Sequence, residues 1–193
     1  MSVTALQWVT RGLHREVVVG RRAVAALGVG AMVVCLSLAG AYARYYGPWS
    51  PVPITLQTFF VLVAGAGMGT GLGTLSTSAY VALGACGLPV FAGNWRADTT
   101  GYLVGFAAAA ALIGAVCRRS PRPSTGRIAL AMLAGTLVIY GLGAAYLAHY
   151  YGYGPWLAVT KGVLPFLKGD ALKLAAAVAF CRGYRERLRA LFP

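Results

Sequence analysis

Six apolar stretches organise this chain, at about 23–43, 54–70, 72–88, 101–117, 126–148 and 169–182. A membrane-spanning helix needs ~20 predominantly apolar residues, so six would use about 120. Of the 193 residues present, that leaves only loops and termini. No separate soluble domain fits. Composition agrees: 59% of residues are hydrophobic and 11% charged, with mean hydropathy +0.69. An ordinary soluble domain carries roughly 25% charged residues.

The chain is nevertheless very basic, with 17 Lys+Arg against 4 Asp+Glu and a net charge of +13. A nucleic-acid binder would spread such charge over a folded polar surface, and too little polar composition is left to cover one. A disordered basic tail needs low hydrophobicity. The four cysteines all lie inside apolar runs, which argues against a disulfide scaffold. An integral membrane protein remains.

Local punctuation separates the spans. Gly47-Pro48-Trp49-Ser50-Pro51-Val52-Pro53 ends the first, because proline removes a donor and restricts its predecessor. Met68-Gly69-Thr70-Gly71-Leu72-Gly73 reads as a tight turn between spans two and three, which are short. Gly87-Leu88-Pro89, the Arg-rich segment 118–123 and Gly152-Tyr153-Gly154-Pro155 supply the other breaks.

Charge then sets topology. Arg11, Arg15, Arg21 and Arg22 precede span one; Arg118, Arg119, Arg122 and Arg127 lie between spans four and five; Arg182, Arg185, Arg187 and Arg189 follow span six. With six spans these groups share one side, and the positive-inside rule makes it cytoplasmic. A five-span chain would split them. The expected organisation is a cytoplasmic basic arm at 1–22, a six-helix transmembrane domain at 23–182 and a cytoplasmic basic tail at 183–193. Arg44, Arg96, Lys161, Lys168, Lys173, Asp98 and Asp170 fall on or near the outer side, with many aromatics. Those aromatics read either as an interfacial belt or as the walls of an outward-opening ligand site.

No Walker A lysine motif, HExxH or GxSxG is present. His14 and His149 are isolated, and Cys35, Cys86, Cys117 and Cys181 lack metal-ligand spacing. No catalytic residue, metal or cofactor is expected. Polar chemistry concentrates in three places. In Lys168-Gly169-Asp170-Ala171-Leu172-Lys173, Asp170 and Lys173 share one helix face. They read as a first-turn carboxylate with a snorkelling lysine, or as a functional ionisable pair. In span two, Thr55, Gln57 and Thr58 suit either interhelical bonding or a ligand. The run from Leu88 to Tyr102 mixes amide, indole, guanidinium and carboxylate beside a span. Ala26 with Gly30, and Gly101 with Gly105 and Ala109, form small-residue stripes that permit close helix approach.

Four blocks carry a family resemblance. Ser50-Pro51-Val52-Pro53-Ile54-Thr55-Leu56-Gln57-Thr58-Phe59 resembles the signature of the BioY family of biotin transporters. The likeness continues through residues 84–93 and 100–106 and ends in Leu164-Pro165-Phe166-Leu167-Lys168-Gly169-Asp170-Ala171-Leu172-Lys173. The family's usual Gly-Pro-Thr-Gly-Gly-Tyr reads Ala97-Asp98-Thr99-Thr100-Gly101-Tyr102 here, and the loop before it is shorter.

The resemblance implies an all-α six-helix bundle, the substrate-binding S component of an energy-coupling factor (ECF) transporter. Its implied partners are biotin, a transmembrane coupling subunit and two cytoplasmic ATPases, which some members are thought to do without. Under that reading Asp170 takes a ureido N–H, being acceptor-only when ionised. Lys173 donates to the ureido carbonyl, pairs with Asp170 or reaches the biotin carboxylate. Arg96 is an alternative carboxylate partner. Gln57, Asn94 and Tyr102 complete polar recognition, and Phe91 and Trp95 suit the apolar rings. The alternative is a self-sufficient secondary transporter in which Asp170 couples protons. A membrane enzyme lacks a nucleophile–base or metal constellation.

Overall fold

In the computed structural model, which describes residues 3–92, 98–120 and 123–192, helix α1 (Val3–Ala41) runs through the first apolar stretch and the basic residues before it as one helix. The expected boundary at residue 22 is therefore a change of composition, not of backbone. Two short strands follow, β1 (Arg44–Tyr45) and β2 (Ile54–Thr55), paired antiparallel with Arg44 opposite Thr55 and Tyr45 opposite Ile54. The proline-rich segment lies between them.

Helix α2 (Gln57–Val63) continues into one π-helical turn (Ala64–Met68), and α3 (Gly69–Ala85) begins directly at Gly69. Gly69 has φ +77°, a region open to glycine and strained for other residues. A methyl at Gly73 would lie 2.5 Å from the Ala64 carbonyl oxygen, so α3 folds back against the π turn. The expected turn at 68–73 is thus a kink without a loop.

Residues 57–68 are about 18 Å long at ~1.5 Å per residue, less than the ~30 Å hydrocarbon core. Non-helical backbone at membrane depth is tolerated where it lines a cavity and its polar groups are bonded. The segment before α2 meets both conditions. Val52, Pro53 and Thr55 line a cavity. Val52 N donates to Ser50 Oγ, Leu56 N to the Ala43 carbonyl and Gln57 N to Thr55 Oγ1, while β1 pairs with β2.

Helices α4 (Thr100–Arg118) and α5 (Thr125–Tyr151) form the tightest pair. Ser124 caps α5 by accepting from Arg127 N, and Gly152 ends it at φ +66°. A methyl at Gly101 would meet the Leu142 carbonyl oxygen at 2.3 Å, and one at Gly105 would meet Ile139 Cα at 2.9 Å. The expected stripe on span four therefore lies in a helix contact. Ala26 and Gly30 do not: both are exposed, and a methyl at Gly30 would meet nothing within 4 Å. On α1 it is Gly28 that is approached, by the Phe192 ring.

Helix α6 (Pro155–Gly162) and a 3₁₀ turn (Leu164–Phe166) lead into α7 (Leu167–Gly183), and α8 (Arg185–Leu191) follows. Leu188 of α8 rests on Gly67 of the π turn. Among the described residues, four helical stretches are long and apolar enough to cross a membrane: Gly20–Ala41, Gln57–Ala85, Thr100–Arg118 and Thr125–Tyr151. The second is broken at Gly69 and so supplies two segments. The shorter α7 brings the bundle to six, as expected. Leu36, Val61, Leu62, Tyr80, Ile113 and Met132 fill the interior, while Leu27, Leu130, Leu137 and Leu172 point outward, as lipid contact requires.

Candidate functional site

The Leu164–Phe166 turn delivers the chain into α7 so that Asp170 lies in the helix's first turn, facing inward and only 6% exposed. A carboxylate at such burial needs charge and hydrogen-bond compensation. Three elements supply it. Lys173 Nζ, one turn along α7, donates to Oδ1 at 2.6 Å. Thr58 Oγ1 on α2 donates to the same oxygen at 3.0 Å, and the Tyr140 hydroxyl on α5 donates to Oδ2 at 2.7 Å. A carboxylate offers about four acceptor positions. Three are taken by the described residues, which leave one on Oδ2 open. Lys173 has three N–H donors and spends one on Asp170.

These groups face a cavity enclosing about 510 Å³ of empty space, part of it open to solvent. Small-molecule sites commonly span roughly 300–1,000 Å³. Val52, Pro53, Leu103, Phe106, Ile139 and Phe166 make its apolar walls. Tyr102 closes one side: its hydroxyl donates to the Gly162 carbonyl at 2.6 Å, tying α4 to α6. Its ring crosses Gly143, where a methyl would come within 2.3 Å.

Gln57, Tyr102, Asp170 and Lys173 all line this cavity. Gln57 is also a structural tie. Its Nε2 donates to the Leu36 carbonyl at 3.2 Å and to the Tyr80 hydroxyl, and its Oε1 accepts from Thr55. Phe91 lies behind the wall, edge-on to Tyr80 at 5.3 Å and packed on Gly84. Its neighbour Ala92 reaches the lining instead. Asn94, Trp95 and Arg96 lie outside the described residues. Asp98 accepts a hydrogen bond from Tyr151. Tyr146, Tyr150, Tyr151 and Tyr153 form a run of neighbouring rings at the same end of the bundle.

Tyr140 is a site residue that sequence reasoning passed over. Its signal was depth: membrane tyrosines favour the interfaces, whereas Tyr140 lies in the middle of span five. Thr58 was visible as a polar residue in an apolar run, but its partner stands 112 positions away.

The model of the BioY family matches residues 14–190. The chain belongs to the BioY family. A "Probable biotin transporter BioY" from Pyrococcus horikoshii is 41% identical over 135 residues, 66% of this chain and 77% of that one. A "Biotin transporter BioY" from Thermotoga maritima is 37% identical over 137 residues, 67% of this chain and 79% of the relative. Among solved structures, the S component for biotin from an ECF-type ABC transporter superposes with TM-score 0.81 at 22% identity, covering 90% of this chain and 98% of the other. At that identity the likeness speaks for the fold. In this BioY-family chain, the signature blocks 50–59 and 164–173 meet at the Thr58–Asp170 hydrogen bond.

Proposed function

We propose that this chain takes up biotin, holding it in the α2–α4–α5–α7 cavity as the substrate-binding component of an ECF transporter. The observation that carries this reading is Asp170, a buried carboxylate held by three donors with one acceptor position left beside an apolar cavity. A ureido ring suits that arrangement. One N–H fills the free position on Oδ2, and the adjacent carbonyl accepts from Lys173, while the thioether ring meets the apolar walls.

The same reading makes the membrane the cytoplasmic membrane, with both termini inside. Its support is the separation of charge from cavity. Arg118, Arg119, Arg127 and Arg182 lie at the ends of α4, α5 and α7 remote from residues 99–102, and Arg21 and Arg22 precede the apolar part of α1. The positive-inside rule places that basic end in the cytoplasm and the cavity mouth outside. The chain carries no Walker A motif, so ATP coupling comes from a transmembrane coupling subunit and two cytoplasmic ATPases in trans.

Calorimetric titration of the purified chain with biotin, beside riboflavin and thiamine, tests the proposal. Saturable binding of biotin alone is expected. Equal binding of all three vitamins, or of none, removes it.

A further inference from the structure

A second concavity lies between α5 and α7, toward the end of the bundle opposite residues 99–102. It encloses about 970 Å³ of empty space, part of it open to the surroundings, and shares no lining residue with the Asp170 cavity. Ala129, Ala175 and Ala179 line it with methyl groups too small to close the gap, and Leu174 and Val178 extend the apolar wall. From Leu174 to Arg182 the groove follows α7 for about 12 Å at ~1.5 Å per residue. None of the described lining residues belongs to α8, whose Leu188 rests on Gly67 and whose neighbour Phe192 lies over Gly28. A methyl at Gly126 or Gly183 would meet nothing within 4 Å.

The polar groups gather at one end of this groove. Arg182, exposed in the last turn of α7, and Thr125, the first residue of α5, both line it. Among the described residues Arg182 forms no ion pair, Glu186 included. An arginine there favours the carbonyls that end α7, but a guanidinium has five N–H donors and that use leaves most of them over. Ser124 takes up the N–H of Arg127, while α5 itself leaves those of Thr125 and Gly126 without an intrahelical partner. A guanidinium at the start of a 27-residue helix is suited to an oxyanion. Depth adds a second constraint. Arg182 stands twelve residues beyond Asp170, about 18 Å along α7. It therefore reaches the basic end of the bundle, where a hydrocarbon core of ~30 Å gives way to headgroups.

We propose that the α5–α7 groove is a binding site for an anionic phospholipid. The acyl chain lies along Ala129, Leu174 and Val178, and the phosphate is held by Arg182, Thr125 and the start of α5. A groove that is apolar toward the membrane interior and cationic at the interface matches the polarity of that lipid along its whole length. A zwitterionic lipid offers the chain without the net charge, and inorganic phosphate the charge without the chain. The assignment stands apart from the biotin reading, because the two cavities share no residue.

Native mass spectrometry of the purified full chain tests it, with dioleoylphosphatidylglycerol, dioleoylphosphatidylcholine and inorganic phosphate as probes. The parent should hold phosphatidylglycerol about fivefold more tightly than phosphatidylcholine, the worth of one basic group at an anionic headgroup, and should not retain phosphate. Arg182→Gln should lose that preference and keep phosphatidylcholine, while Arg182→Lys should retain most of it. Arg21→Gln makes the same charge change on α1, outside the groove, and should leave the preference intact. Ala175→Phe fills the groove and should weaken both lipids at an unchanged ligand-free melting midpoint; if it does not fold, the comparison of Arg182→Gln with Arg21→Gln still decides. No preference in the parent, or the same loss in Arg21→Gln as in Arg182→Gln, overturns the site. Retained phosphate that displaces both lipids would make it a free-anion site, and a two-chain mass that falls to one chain in Ala175→Phe would give the groove to a second copy; either result also overturns the proposal.

Discussion

The Tyr140 hydroxyl on α5 donates to Asp170 Oδ2 on α7 across 2.7 Å. The bond holds the carboxylate plane and leaves one position on that oxygen for a ligand. Removing a partner of a buried charged group costs about 1.5–3 kcal/mol. Tyr140→Phe should therefore lower biotin affinity about tenfold and ligand-free stability measurably, while the helices stay intact. Titration and thermal melting of the one variant check both. Unaltered affinity would show that Asp170 does not need Tyr140 for its orientation.

Asp170→Asn is the more severe change. With its oxygen kept toward Lys173 and Thr58, the amide turns its NH₂ to the Tyr140 hydroxyl, which must then accept rather than donate; Lys173 loses its counter-charge, and the acceptor position meant for the ligand becomes a donor. Binding of labelled biotin should fall more than a hundredfold while membrane insertion is retained. Lys173→Ala instead strands a buried charge, a loss of about 3–5 kcal/mol for a buried pair, and should show first as reduced thermal stability.

Gln57 separates ligand contact from architecture. Its amide joins α2 to the Leu36 carbonyl on α1 and to Tyr80 on α3. Gln57→Leu removes both ties and leaves the Leu36 carbonyl and Tyr80 short of a partner. The melting midpoint should drop, with biotin affinity falling by less than in Asp170→Asn. The opposite order in a side-by-side titration and melt would make Gln57 chiefly a ligand contact.

The glycines of α4 and α5 divide by what surrounds them. A methyl at Gly101 meets the Leu142 carbonyl oxygen at 2.3 Å and Tyr146 Cβ at 2.5 Å, and backbone cannot yield cheaply. Gly101→Ala should destabilise by about 1–3 kcal/mol, the usual range for overpacking, and widen the α4–α5 contact beside the cavity mouth. Gly141, with nothing within 4 Å, should accept alanine with neutral or slightly positive effect, because alanine favours a helix by up to about 1 kcal/mol. Comparing the two melts tests the packing argument directly.

Apolar periods and charge placement are local or one-dimensional properties, which is why the all-α bundle and its six segments were legible without coordinates. The Asp170–Lys173 pair was legible for the same reason: residues three apart on a helix share a face whatever the rest of the chain does. The boundary between spans two and three was legible only in part. Glycines marked it, but the Gly69 backbone angle and the packing of Gly73 on Ala64 made it a kink.

What tertiary structure alone decided is which side chains have partners. Thr58 and Tyr140 come to Asp170 from 112 and 30 positions away. Phe91 has the right chemistry for a cavity wall, but Gly84 leaves it a slot outside the lining. Thr99 looks like any helix-capping threonine in the sequence, and only the packed bundle leaves its hydroxyl buried and unbonded. Residue type and spacing determine what a group can do; desolvation and long-range packing determine whether it is left free to do it.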